Sequence, residues 1–197
     1  MIIKKFQEHS IIVHHCDNKE FYLNEDIYNS INYVFGLDKI KNSIDTYQIG
    51  MALSTNKFYN EFPLTELPGG GNLVKWVEEK ILESAEPLGF TSNKIKFGRT
   101  WVNMMFEGCE GACHDHTDAD SGVAIFYANV PANSSDIVFI DGGTNHTHIR
   151  DYSPEKCFPI KLNSGDLIIH DPLLPHAVSK HNNQEPRICL IFEFSYV

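Results

Sequence analysis

Beyond residue 90 the chain breaks into short stretches of two-residue alternation, each closed by glycine, proline, asparagine or serine. Thr100, Val102, Met104 and Phe106 alternate with Arg99, Trp101, Asn103 and Met105 until Gly108 interrupts the run. Residues 122–130, 136–140, 158–162, 166–170 and 187–196 follow the same pattern. Side chains two apart on an extended chain share a face. In the last stretch Ile188, Leu190, Phe192, Phe194 and Tyr196 therefore fall on one side, and Arg187, Cys189, Ile191, Glu193 and Ser195 on the other. Many short, turn-punctuated strands predict an antiparallel barrel or jelly roll, mainly β with flanking helices.

The first ninety residues read differently. Residues 2–6 and 10–14 suit short strands. Residues 19–35 space Phe21, Ile27, Ile31 and Val34 as a helix would. A PGGG loop at 68–71 precedes a second predicted helix over 72–86, with Leu73, Trp76, Val77, Ile81 and Leu82 on one stripe. Pro87 and Gly89 end it. The 197 residues suit a single structural unit: a mixed α/β region, 1–90, packed on a β core, 91–197. Thirteen Phe, eight Tyr and two Trp provide the bulk for an ordered core.

Charge narrows the partners. A net charge of −10 repels phosphate backbones and disfavours nucleic acid. No apolar run reaches the roughly 18 residues of a membrane span, and the N-terminus lacks the pattern of a signal peptide. Five irregularly spaced cysteines suit reduced thiols, so a cytoplasmic location is expected.

The densest chemistry lies at 113–120, CHDHTDAD. It holds two nested pairs, His114-Asp115-His116 and His116-Thr117-Asp118, and alternation turns residues i and i+2 to one side. Sixty residues on, His176 follows the proline-stiffened turn DPLLP, and Arg187 opens the last stretch. Barrel closure would bring a distant histidine to such a pair. His116, Asp118 and His176 make the two-histidine, one-carboxylate set of non-haem Fe(II) oxygenases, whereas His114, His116 and His176 make a three-imidazole site.

In these residues the chain resembles the Fe(II)/2-oxoglutarate-dependent dioxygenases, in particular their small prolyl-hydroxylase-like branch of bacteria and phages. The resemblance covers roughly residues 85–197. It runs from Trp101-Val102-Asn103 and Gly108 to His114-Asp115-His116. It continues through Ser121-Gly122-Val123, Tyr127 and Pro131 to Gly165-Asp166-Leu167, His176-Ala177-Val178 and Arg187. It implies a double-stranded β-helix binding Fe(II) and 2-oxoglutarate, with Arg187 on the distal carboxylate and Asn103 and Tyr127 placed to bind the co-substrate. A guanidinium suits a carboxylate through two parallel hydrogen bonds. The glycine-to-histidine spacing points to His114 and His116; the HxD signature points to His116 and Asp118. Asp118 is the preferred ligand, because a carboxylate leaves iron readier to react with dioxygen, and His114 is the alternative.

The reading implied is a hydroxylase acting on a protein side chain, an amino acid or a small metabolite. A cupin-type metalloprotein using His114, His116 and His176 without 2-oxoglutarate is the competing one, and a non-enzymatic jelly-roll module the third. Arg187 separates the first two, since a cupin needs no carboxylate clamp. A zinc site on Cys109 and Cys113 lacks a second cysteine pair. His146 and His148 read as solvated loop residues.

Overall fold

The computed structural model describes residues 1–22, 24–43, 48–50 and 52–197. Its strands are β1 (Ile2–Phe6), β2 (His9–His15), β3 (Gln48–Ile49), β4 (Ala52–Ser54), β5 (Ile95–Met105) and β6 (Glu110–His114). They continue as β7 (Gly122–Asn129), β8 (Ile137–Ile140), β9 (Cys157–Ile160), β10 (Asp166–His170), β11 (His176–Val178) and β12 (Arg187–Tyr196). The helices are α1 (Glu25–Gly36), α2 (Asp38–Lys41) and α3 (Gly71–Glu83).

The strands form two sheets, seven-stranded in the order β1-β2-β10-β7-β12-β5-β4 and five-stranded in the order β3-β6-β11-β8-β9. From β5 onward the chain passes repeatedly from one sheet to the other, and every pairing is antiparallel. This is the double-stranded β-helix expected. The N-terminal strands extend both sheets: β1 and β2 continue the large one beyond β10, and β3 adds to the small one beside β6.

Alternation sorts the side chains of the large sheet into two cores. Its outer face carries Val102, Met104, Ala124, Phe126, Leu190, Phe192 and Phe194 against the helices. α1 offers Ile27, Ile31 and Phe35, and α3 offers Leu73, Val77 and Ile81. Each set is spaced by four residues, as one buried helical stripe requires. The inner face carries Trp101, Ile125, Tyr127, Cys189 and Ile191 towards Phe139 of the small sheet.

The helix predicted over 19–35 is divided. A single 3-10 turn at Lys19–Phe21 precedes α1, and Leu23 lies outside the described residues. Asn24 starts α1 because its Oδ1 accepts from the Ile27 amide at 2.9 Å, and Glu25 and Asp26 suit the positive end of the helix. β6 and β4 went unread in the sequence. Gly111 and Ala112 blur the alternation of the one, and the other is three residues long.

Gly165 holds the turn before β10. Its φ is +93°, its amide donates to the Tyr127 carbonyl at 2.8 Å, and its carbonyl accepts from the Cys16 amide at 2.8 Å. A Cβ there would stand 2.7 Å from the Cys16 carbonyl oxygen. Gly165→Ala should therefore cost about 1–3 kcal/mol, read as a lower urea midpoint; an unchanged midpoint would mean that the turn relaxes without strain.

Candidate metal centre

His114 is the last residue of β6, and His176 the first of β11. The two stand directly opposite each other in the antiparallel ladder. Their ring centroids are 4.5 Å apart. Two residues beyond the end of β6, His116 lies on the same side, its ring 5.3 Å from His114 and 5.3 Å from His176. Its amide donates to the Pro172 carbonyl at 2.8 Å, which ties this loop to the turn that carries His176. One potential ligand atom from each of His114, His116 and His176 lies within 4.8 Å of the other two.

Hydrogen bonding fixes how these rings face. Nδ1 of His114 lies 2.9 Å from the Ala112 carbonyl, and Nδ1 of His176 lies 3.2 Å from that of Leu174. A carbonyl only accepts, so Nδ1 carries the proton and Nε2 keeps the lone pair. His116 Nδ1 lies 3.1 Å from Glu193 Oε1, and its Nε2 is buried without a hydrogen-bond partner. Burial and the neighbouring His116 lower the pKa of His114 to about 4. Burial, with His114, His170 and His116 around it, holds His176 well below the usual histidine range. His114 and His176 are therefore neutral at pH 7, as metal binding requires. Three imidazoles suit iron, zinc, copper or nickel, so the donor set fits the implied ion.

Asp118, the expected third ligand, is held elsewhere. Its side chain is 75% exposed, and Oδ2 lies 3.3 Å from Arg99 Nη1. The reason is local: residues 117 and 118 form a turn, closed by the Ala119 amide donating to the His116 carbonyl at 2.8 Å. Two-residue alternation applies from 114 to 116 and fails from 116 to 118.

Arg187 is buried at the start of β12, 3% exposed. Its guanidinium carbon sits 4.8 Å above the Tyr127 ring, and Nη1 lies 3.2 Å from Met105 Sδ. Nε has no hydrogen-bond partner, and among the described residues no carboxylate lies within 4.0 Å of the group. Asn103 and Tyr127 lie on the strands either side of β12, each paired with Cys189. The buried Asn103 Oδ1 and Tyr127 hydroxyl also lack partners. A cavity of about 130 Å³ opens beside the histidines, lined by Asn103, Trp101, Arg99, Asn56, Asp115 and Asn145 among others.

A fourth histidine escaped the sequence reading. His170 ends β10, fully buried, with Nδ1 2.7 Å from the Asp171 carbonyl and Nε2 unpartnered. Its ring is 4.9 Å from that of His176. Burial and the nearby His116 lower its pKa to about 3. Its place at the end of the apolar run DLIIH was the available sign. Other histidines serve the scaffold: a ring nitrogen of His14 lies 2.9 Å from Ser84 Oγ, and one of His15 lies 2.7 Å from Asp166.

A family model described as "Putative 2OG-Fe(II) oxygenase" matches residues 99–193. No curated protein matches the chain. Among solved structures, a Pseudomonas putida prolyl-4-hydroxylase superposes with a TM-score of 0.62 at 11% identity, over 96% of this chain and 94% of its own. The non-heme alpha ketoglutarate dependent epimerase SnoN from nogalamycin biosynthesis gives 0.60 at 12% identity, over 94% and 77%. HygX from Streptomyces hygroscopicus, with nickel and 2-oxoglutarate bound, gives 0.56 at 11% identity, over 95% and 83%. At these identities the likeness shows the fold. No helix among the described residues is long and apolar enough to cross a membrane.

The buried imidazoles make stability depend on pH. Unfolded histidines titrate near 6.5, whereas His114 titrates at about 4, His170 at about 3 and His176 well below its usual value. Below pH about 6.5 the unfolded chain takes up protons that the folded chain refuses, so stability falls towards pH 4. Above 6.5 these groups contribute no slope. Chelator-treated protein should show a clearly lower urea midpoint at pH 5 than at pH 7; equal midpoints would refute the neutral cluster.

Proposed function

We propose that the chain is a 2OG-Fe(II) oxygenase, the family whose model matches residues 99–193, in which His114, His116 and His176 hold Fe(II) while Arg187 binds the distal carboxylate of 2-oxoglutarate. The reading rests on Arg187. A buried guanidinium without an acidic partner is costly, because burial removes water and a thioether and an aromatic face replace it only weakly. A carboxylate entering the barrel supplies the missing charge through two parallel hydrogen bonds. The Tyr127 face beneath the guanidinium keeps it oriented, and the Tyr127 hydroxyl and Asn103 amide are available for the same ligand.

When bound, iron and 2-oxoglutarate supply the oxidising chemistry, and the protein supplies position. Trp101 stacks on His116 at 5.8 Å and helps to fix that ring. The inner apolar wall of Ile125, Phe139 and Ile191 excludes water from the co-substrate. The target enters at the polar mouth beside Asn56, Asp115 and Asn145. That lining suits a polar target, either a protein side chain, an amino acid or a small metabolite, and the reaction is hydroxylation. The reduced thiols and acidic balance suit a cytoplasmic enzyme.

The cupin-type reading has one specific observation in its favour: the convergent donors are three imidazoles, without the carboxylate. It assigns no task to Arg187. Arg187→Ala decides between the two. Anaerobic calorimetric titration of the iron-loaded variant with 2-oxoglutarate should show affinity weakened by 2–5 kcal/mol, roughly 30- to several thousand-fold. An affinity equal to that of the wild type would favour the cupin reading.

The ligand set has its own test. His114→Ala and His176→Ala should each remove most of the bound iron while the fold persists. Asp118→Ala should retain it. Anaerobic iron stoichiometry checks this, and a larger loss from Asp118→Ala than from His114→Ala would restore the carboxylate triad.

A further inference from the structure

A site of three imidazoles lacks the negative charge that a carboxylate ligand brings to iron. Behind His116 the structure holds a buried carboxylate that no ligand assignment uses. Glu193 is 3% exposed at the inner end of β12. Its Oε1 lies 3.1 Å from His116 Nδ1, opposite the nitrogen that faces the site. Arg99 grips the same carboxylate with two donors, Nε at 2.6 Å and Nη2 at 2.8 Å. The third guanidinium nitrogen, Nη1, reaches Asp118 at 3.3 Å. Two carboxylates against one guanidinium leave the chain His116–Glu193–Arg99–Asp118 with one net negative charge.

We propose that Glu193 is a positioning residue that delivers this charge to the metal through His116, taking over the electrostatic role of the carboxylate ligand. This rests on the three-histidine reading above. A carboxylate accepting the Nδ1 proton of a ligating histidine fixes its tautomer and makes Nε2 a stronger donor. Arg99 draws part of that charge away, and Asp118 offsets Arg99 from the solvent side. The HxD aspartate thus acts with three residues, His116, Glu193 and Arg99, between it and the metal rather than on it. Arg187 and Glu193 stand six residues apart on the inner face of β12, so one strand would set both the co-substrate charge and the metal charge.

A purely structural network and this electrostatic one differ in the sign of their response. Breaking the ion pair from either side should loosen His116 equally if Glu193 only braces the ring. If charge matters, Glu193→Gln and Arg99→Gln act in opposite directions. The probe is Co(II) added anaerobically to each full-length variant at pH 7.5 and followed by its visible absorption, with the iron midpoint potential as a second readout. Glu193→Gln should weaken Co(II) 10–100-fold and raise the potential. Arg99→Gln should bind at least as tightly as the wild type and lower the potential. Weakening in both variants, or no change in Glu193→Gln, overturns the proposal. If Glu193→Gln fails to fold, the direction of the Arg99→Gln potential decides alone. A wild-type protein that takes up no Co(II), or a His116→Ala variant that binds it unchanged, would instead remove the metal reading beneath it.

Discussion

The pairing of His176 with His114 across antiparallel strands is the contact on which the candidate site depends. It places two imidazoles side by side, their ring centroids 4.5 Å apart and their planes inclined by 53°, with no loop to adjust their separation. Everything around it serves to hold those rings in one tautomer. Backbone carbonyls two residues earlier in the chain take the Nδ1 protons of both, so His114 is braced by its own strand and His176 by the turn before its strand. His116 alone is braced from outside, by Glu193 on the facing sheet. The site is therefore as well fixed as the two sheets are, and the helices packed behind the large sheet contribute by keeping β12 and β5 in place.

Burying neutral imidazoles together has an electrostatic consequence. Each ring resists protonation because burial penalises the charge and its neighbours would repel it. Of the proposed ligands, His114 and His176 would offer a divalent cation an unprotonated Nε2. The same crowding sets the direction in which acid acts on the fold, which loses stability as these rings are forced to charge. Binding readiness and acid sensitivity arise from one arrangement.

β12 carries two buried charges treated in opposite ways. Glu193 is fully engaged: although burial pushes its pKa up, hydrogen bonds from His116 and Arg99 hold it below the usual carboxylate range. Arg187 is left with a thioether, an aromatic face and an unpartnered Nε. A buried charge left without a counter-charge stands there only at a net cost in stability. That contrast along one strand sets a charge matched within the scaffold beside one that the scaffold leaves without a carboxylate.

The alternation beyond residue 90 was enough to determine the sheet-rich fold, because burial on one face writes a period of two into the residues themselves. The strand faces of β12 and the stripes of α1 and α3 were legible for the same reason. So was the neighbourhood of His114, His116 and His176. Tertiary structure decided the rest. The turn at 117–118 turns Asp118 out to Arg99, and a turn is set by a few backbone hydrogen bonds that leave no periodic trace. His170 and Glu193 joined the site only because antiparallel register brings β10 beside β7 and β12 between β5 and β7. Which residues oppose one another across a sheet follows from loop lengths and packing summed over the whole chain, so no local stretch of sequence contains it.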